Sequence, residues 1–232
     1  RQPNARSVDY SRLKYILYGA SPIPLDLLRE CMEVFGCGFC QQYGMTETCG
    51  TIIYLPPEDH DPNGNQRMRA AGIPMPGVEI RIEDNEGNVL APHQVGEVVT
   101  RSRANMKGYW NLDEATQKTI TSDGWLHTGD IGKFVNGYLK ITDRKKDILI
   151  TPGGDNISPV KVETALTNSN FIEQSLVYGD NKPYLVALIV LNSEINIKEK
   201  ELNDEIEKIN KNLTKIEKIK NYFLIKEKFS IE

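Results

Sequence analysis

No part of this chain is apolar for long. Its longest run, Val186 to Leu191 after Tyr184-Leu185, is far shorter than the ~20 residues a membrane-spanning helix needs. The opening residues, RQPNARSVDY, lack the apolar core of a signal peptide, so a cytoplasmic protein is expected. Positive charge is not in excess either: 28 Lys and Arg against 32 Asp and Glu give a net charge of -4. A nucleic-acid binder needs a basic stripe, so neither duplex nor single-strand binding is expected. Cysteine is scarce, and its four copies, Cys31, Cys37, Cys40 and Cys49, fall in one window. Cys37-Gly-Phe-Cys40 has C-x-x-C spacing, yet a zinc ribbon wants a second knuckle and a redox pair wants to open a helix. Phe39 and Gln41-Gln42-Tyr43 read instead as a buried strand, so free buried thiols are expected. Internal repeats and low-complexity linkers are absent as well.

What is present is an ordinary globular composition, 232 residues with 39% hydrophobic and 26% charged, enough for two compact units. Leu13 to Tyr18 reads as a buried strand, and Gly19-Ala20-Ser21-Pro22-Ile23-Pro24 as a turn. Leu25 to Val34 has apolar residues at helical spacing, and Gly36 and Gly38 stop it before a strand over Phe39 to Tyr43. A strand, helix, strand order predicts parallel pairing. The carboxyl end of such a second strand is where α/β sheets place ligand chemistry, and here the sequence is Tyr43-Gly44-Met45-Thr46-Glu47-Thr48. Gly44 permits close backbone approach. The Thr46 hydroxyl can bond a phosphate, the Glu47 carboxylate is a hard oxygen ligand for Mg²⁺, and the Tyr43 ring can stack on a purine. Alone, the string reads equally as a polar loop at a sheet edge.

From Thr51 the texture changes to short segments divided by turns: Pro56-Pro57, Pro62-Asn-Gly64, Gly72-Ile-Pro74-Met-Pro76-Gly77. Val78 to Ile82 alternates, Asp84 to Gly87 turns, and Gly96 to Thr100 is another strand, which predicts an antiparallel barrel or sandwich. Tyr109 and Trp110 are expected to be packing anchors, and His127 is expected to be structural. Beyond Asp143, Ile148 to Thr151 reads as a strand and Pro152-Gly-Gly-Asp-Asn156 as a hairpin turn. Ser158-Pro159 then supplies an N-cap with proline at the first helical position, which starts a helix to about Leu166. Ile172–Tyr178 and Tyr184–Leu191 predict a small sheet. Leu202, Ile206, Ile209, Leu213 and Ile216 recur at four- and three-residue spacing, which predicts a helix lying on that sheet across 198–221.

The forty-one residues from Asp123 to Glu163, DGWLHTGDIGKFVNGYLKITDRKKDILITPGGDNISPVKVE, organise the rest. Asp130 is an acceptor-only carboxylate suited to paired sugar hydroxyls, and Arg144 is a planar donor fork suited to phosphate or ribose oxygens, a pairing that suggests a nucleotide. The stretch resembles, without a gap, the fatty-acyl-CoA synthetase signature of the adenylate-forming enzymes, and Y-G-x-T-E precedes it at the separation typical of that family. The resemblance implies a multidomain α+β and α/β protein: the end of a large domain, made of a parallel sheet unit (1–55) and a distorted antiparallel β-barrel (56–142). A hinge (143–147) and a small mobile α/β C-terminal domain (148–232) would follow.

It also implies roles. Thr46 would meet the nucleotide phosphate, Glu47 Mg²⁺, Tyr43 adenine and Asp130 ribose, with Thr46, Glu47 and Arg144 catalytic. Gly19 and Ala20, with the turn to Pro22, would wall the adenine and acyl pockets beside Gly44. Gly153 and Gly154 would approach nucleotide or pantetheine through backbone, and Lys146 would be the hinge. The implied activity is that of a long-chain-fatty-acid:CoA ligase, using ATP, Mg²⁺ and CoA with a fatty acid, and leaving room for peripheral membrane association. A fatty-acyl-AMP ligase loading a carrier protein, or a non-catalytic nucleotide- or metal-binding module, are the other readings. The family's phosphate loop and terminal catalytic lysine have no match here, so these residues alone are expected to be inactive.

Overall fold

The computed structural model describes residues 4–21, 23–63, 66–193, 195 and 197–229. Pro22 and Gly64, each read above as part of a turn, and the final residues Ser230 to Glu232 lie outside them. The chain divides into two compact units, Arg1–Ile141 and Thr142–Glu232.

The first unit begins with β1 (Tyr15–Gly19), α1 (Leu25–Phe35) and β2 (Gly38–Met45). β1 and β2 pair in parallel, with Tyr15 opposite Gly38 and Gly19 opposite Gln42. α1 turns Leu25, Leu28, Met32 and Phe35 toward Phe39 and Ile16, and Leu28 is fully buried in that cluster. It ends where Gly36 adopts a left-handed conformation and returns its N–H to the Met32 carbonyl, a cap glycine makes without strain. β3 (Gly50–Leu55) then runs antiparallel to β2, and β4 (Ile73–Pro74) antiparallel to β3, giving the order β1-β2-β3-β4. The first sheet is therefore mixed.

A second sheet contains β5 (Glu79–Glu83), β6 (Gly96–Arg101), β7 (Leu126–Val135) and β8 (Tyr138–Arg144) in that order, with α2 (Asp113–Thr119) between β6 and β7. Ile52 and Ile53 of β3 share a core with Ile82, Val98 and Leu139 of this sheet. The predicted barrel is corrected by this order: β5 and β8 are its two edges, and among the described residues no strand joins them to close it. Between β7 and β8, Asn136 and Gly137 both have positive φ, 52° and 83°, as a two-residue type I′ hairpin requires.

In the second unit, β9 (Leu149–Ile150) and β10 (Asn156–Ile157) form a hairpin. α3 (Pro159–Thr167) starts as expected, with Ser158 Oγ accepting the Lys161 N–H at 3.0 Å and proline in the first turn. β11 (Ile172–Tyr178) and β12 (Leu185–Leu191) pair antiparallel, and α4 (Glu199–Lys211) adds Leu202, Ile206 and Ile209 to their core. The helix expected across 198–221 is shorter than predicted. It stops at Lys211, and β13 (Ile219–Leu224) joins β12 in parallel. The reason is local: the Asn210 side chain donates to the Ile219 carbonyl and accepts its N–H, at 2.8 and 2.9 Å, pinning the first residue of the strand to the last turn of the helix. Leu213 stays in the core, so the apolar period outlasts the helix, while Ile216 is exposed.

Candidate active site

The carboxyl end of β2 and the middle of β7 are joined by a hydrogen bond. The Tyr43 phenol donates to Asp130 Oδ2 at 2.6 Å, a charge-assisted bond that fixes the half-buried carboxylate. The β7 backbone beneath it is held separately, since Thr128 Oγ1 donates to the Val98 carbonyl at 2.7 Å and accepts the Asp130 N–H at 3.1 Å. Next to Thr128, His127 Nδ1 lies 3.1 Å from Glu97 Oε2, and Glu97 Oε1 takes the Gly129 N–H. His127 is thereby occupied within the sheet.

Gly44 follows Tyr43 where the register between β2 and β3 shifts. A Cβ there would lie 1.9 Å from the Gly50 carbonyl oxygen, so only glycine lets the two strands approach and aim the following turn. That turn is the 3₁₀ segment Thr46–Thr48. Buried Thr48 holds it, with Oγ1 accepting the Met45 N–H and sharing its proton between the carbonyls of Met45 and Gly50. Thr46 stays exposed and Glu47 half-buried. Gly19 ends β1, and Ala20 follows in a left-handed conformation, φ 62°.

Glu47 has a partner that the sequence did not suggest. Tyr109 donates its phenol to Glu47 Oε1 at 2.8 Å, and the Met106 N–H donates to the Glu47 carbonyl at 2.7 Å. The hydrogen bond to Glu47 pushes the Tyr109 phenol up, with burial acting in the same direction. Tyr109 is thus tied to the site rather than being a packing anchor. Trp110 is not one either, being 88% exposed. The signal available in the sequence was Gly108: its φ of 154°, with the Thr116 side chain crowding any Cβ, marks a forced turn that aims the next ring. The expected buried thiols are also corrected, since Cys31, Cys37 and Cys40 are free but only half-buried, and Cys49 is exposed.

Oε1 of Glu47 accepts from Tyr109, and among the described residues no three His, Cys, Asp or Glu gather around one point. A single carboxylate fits Mg²⁺, which keeps waters and binds largely through substrate phosphates.

The remaining predicted residues belong to the second unit. Arg144 ends β8 exposed, Lys146 lies exposed in the 3₁₀ turn Lys145–Asp147, and Gly153 and Gly154 sit exposed at the β9–β10 turn. That turn closes by a Thr151 N–H to Asp155 carbonyl bond at 2.9 Å and an Asp155 N–H to Thr151 Oγ1 bond at 3.0 Å. Close to Arg144, buried Asp143 accepts the Ser158 hydroxyl at 2.7 Å, and Glu163 accepts the Val177 N–H at 2.8 Å. Burial pushes both carboxyls up, and Asp147 adds to the rise.

Residues 1–110 match the AMP-binding enzyme family, and residues 146–229 match the AMP-binding enzyme C-terminal domain. A fatty acid–[acyl-carrier-protein] ligase of Streptomyces coeruleorubidus is 41% identical over 77% of this chain and 34% of its own length. A peroxisomal long chain acyl-CoA synthetase of Arabidopsis thaliana is 35% identical over 79% of this chain and 26% of its own. Among solved structures, o-succinylbenzoate coenzyme A synthetase of Bacillus subtilis in complex with ATP and magnesium ion is similar at a TM-score of 0.75. It shares 34% identity, covering 91% of this chain and 42% of that one. The chain spans about a third of the length of the curated relatives it matches, or less. Among the described residues no helix is long and apolar enough to cross a membrane.

Proposed function

The chain belongs to the AMP-binding enzyme family, and from that premise we propose that it is part of a long-chain-fatty-acid:CoA ligase. A fatty-acid carboxylate oxygen attacks the α-phosphorus of ATP, forming acyl-AMP and releasing pyrophosphate. The sulfur of CoA then attacks the acyl carbon, and AMP leaves with the bonding pair. The observation that carries the reading is the Tyr43–Asp130 bond, which joins the two motifs at one point and fixes a carboxylate suited to a ribose diol.

In this reading the Tyr43 ring and the strand end at Gly44 flank adenine, with Gly19 and Ala20 on its other side. Thr46 donates its hydroxyl to a phosphate oxygen. Glu47 holds Mg²⁺, which would neutralise charge on the phosphates, while Tyr109 keeps that carboxylate in place. Arg144 supplies a donor fork to the nucleotide, and Gly153 and Gly154 approach it through backbone N–H groups. Residues 143–147 form the hinge, with Lys146 as its pivot, because one site must first enclose ATP and acid and later admit a thiol. Cytoplasmic location and peripheral association with membranes accord with a fatty-acid substrate.

A second acceptor is favoured by a specific likeness: the Streptomyces relative loads an acyl-carrier protein. Thioester formation by the full-length protein, assayed with palmitate and ATP against free CoA and against a phosphopantetheinylated carrier protein, separates the two. Thioester on CoA supports the ligase proposed here. Thioester on the carrier alone replaces it with the second reading, and ATP consumption with neither acceptor or acid refutes both.

A further inference from the structure

The first unit has a basic pocket that none of Tyr43, Glu47 and Asp130 lines. It measures about 360 Å³ and is lined by Arg67, Arg69, Lys133, Asn136, Tyr138 and Lys140, among others. The two lysines come from the β7–β8 hairpin, whose two-residue Asn136-Gly137 turn sets Val135 opposite Tyr138 and hence Lys133 opposite Lys140. Like charges directly across a strand pair destabilise a sheet. The two arginines come from the 3₁₀ segment Gln66–Arg69.

The buried carboxylate of Asp59 meets this group and orients Arg67. Asp59 Oδ1 accepts from Arg67 Nη1 at 2.6 Å and Oδ2 from the Tyr138 phenol at 2.7 Å, while the Arg67 guanidinium lies 5.1 Å from the Tyr138 ring centre. Arg67 is still 55% exposed. Among the described residues, Arg69, Lys133 and Lys140 pair with no carboxylate. Four cations gathered in a concavity, in a chain whose net charge is -4, repel one another where a solvated surface would spread them. An anion of matching size removes that repulsion.

We propose that this pocket binds a ligand carrying two or three phosphate groups. A concave site focuses the field of its charges, guanidinium forks match phosphate oxygens, and ammonium groups serve as adaptable point charges. The volume suits a small ligand and excludes a duplex or a folded partner. None of the residues is shared with the proposed nucleotide site, so the inference stands apart from the reading given above. The phosphates could be carried by a free polyphosphate or nucleotide, or by a phosphorylated lipid headgroup, and the chemistry of recognition is the same.

The test titrates sodium triphosphate into the protein by calorimetry, and in parallel floats the protein with phosphatidylcholine vesicles with and without phosphatidylinositol 4,5-bisphosphate. The variants are the double substitution Lys133→Thr, Lys140→Thr and, as a control at the proposed phosphate contact of the nucleotide site, Thr46→Ala. Threonine suits a strand and ends the like-charge opposition, so the double variant should melt at a higher temperature, which excludes misfolding as the cause of lost binding. Binding should weaken about tenfold or more in the double variant, as loss of two charge-assisted contacts would give, and should survive Thr46→Ala. Triphosphate binding with this pattern identifies a free ligand, and vesicle binding alone with this pattern identifies a headgroup. If neither probe binds, or if the double substitution leaves binding unchanged, the proposal is overturned.

Discussion

Tyr43 and Asp130, 87 residues apart, are joined by a 2.6 Å hydrogen bond. That bond separates two contributions of one tyrosine, the ring face and the hydroxyl. Tyr43→Phe keeps the ring in the core it shares with Ile53 and Val98 and releases the carboxylate. A hydrogen bond to a charged group contributes about 1.5–3 kcal/mol, so the KM for ATP of the full-length protein should rise about tenfold or more, with little change in melting temperature. An unchanged KM would show that the hydroxyl does not orient Asp130 for ligand.

Tyr109 supports Glu47 in the same manner. Tyr109→Phe should raise the Mg²⁺ concentration for half-maximal activity about tenfold or more, the effect of one hydrogen bond to a charged group, about 1.5–3 kcal/mol. Activity at saturating Mg²⁺ should be kept. Mn²⁺ binding, followed by electron paramagnetic resonance, should weaken in parallel, and a loss of activity that Mg²⁺ does not restore would argue for a purely structural contact.

In the second unit, burial raises Asp143 and Glu163 above their ordinary values of 3.8 and 4.5. Folding therefore favours their protonated forms. Their contribution to stability is complete below those ordinary values and is lost as pH climbs through the raised folded values. Asp143→Asn and Glu163→Gln keep an oxygen for Ser158 and Val177. The difference in melting temperature, variant minus wild type, should therefore grow more positive from acid toward neutral pH. A difference that is flat or shrinks with pH would contradict the assignment.

The parts of the fold that were readable were those specified by neighbours in sequence. Ser158-Pro159 placed the start of α3 because cap and proline act within one turn, and α1 with Gly36 was legible for the same reason. The end of α4 was hidden because Leu213 continues the apolar period after the chain has left the helix, and the determinant is the side chain of Asn210 reaching Ile219. An aromatic pair such as Tyr109-Trp110 reads as core whatever its surroundings, yet one ring is bonded to a carboxylate 62 residues away and the other faces solvent. Barrel closure was likewise a matter of edge pairing between distant strands. Local alternation in β5 and β6 is the same in an open sheet.

Lys146 lies exposed within the 3₁₀ turn Lys145–Asp147. Proline fixes φ near -65° and restricts the residue before it, so Lys146→Pro should retain one orientation of the proposed hinge. Acyl-AMP formation should persist in the full-length variant, and thioester formation from supplied acyl-AMP should be largely lost. Equal losses in both steps, or none, would place the pivot elsewhere.

The most direct measurement is fatty-acid-dependent exchange of pyrophosphate into ATP by the full-length protein, wild type against Asp130→Ala, with thermal melting run alongside. Asp130 is proposed to contact ligand rather than to support the sheet, which Thr128 holds independently. Exchange should fall by about a hundredfold or more, equivalent to roughly 3 kcal/mol for a charged hydrogen-bonding group, at a nearly unchanged melting temperature. Exchange at the wild-type rate, or a variant that melts early while keeping its ATP dependence, would contradict it.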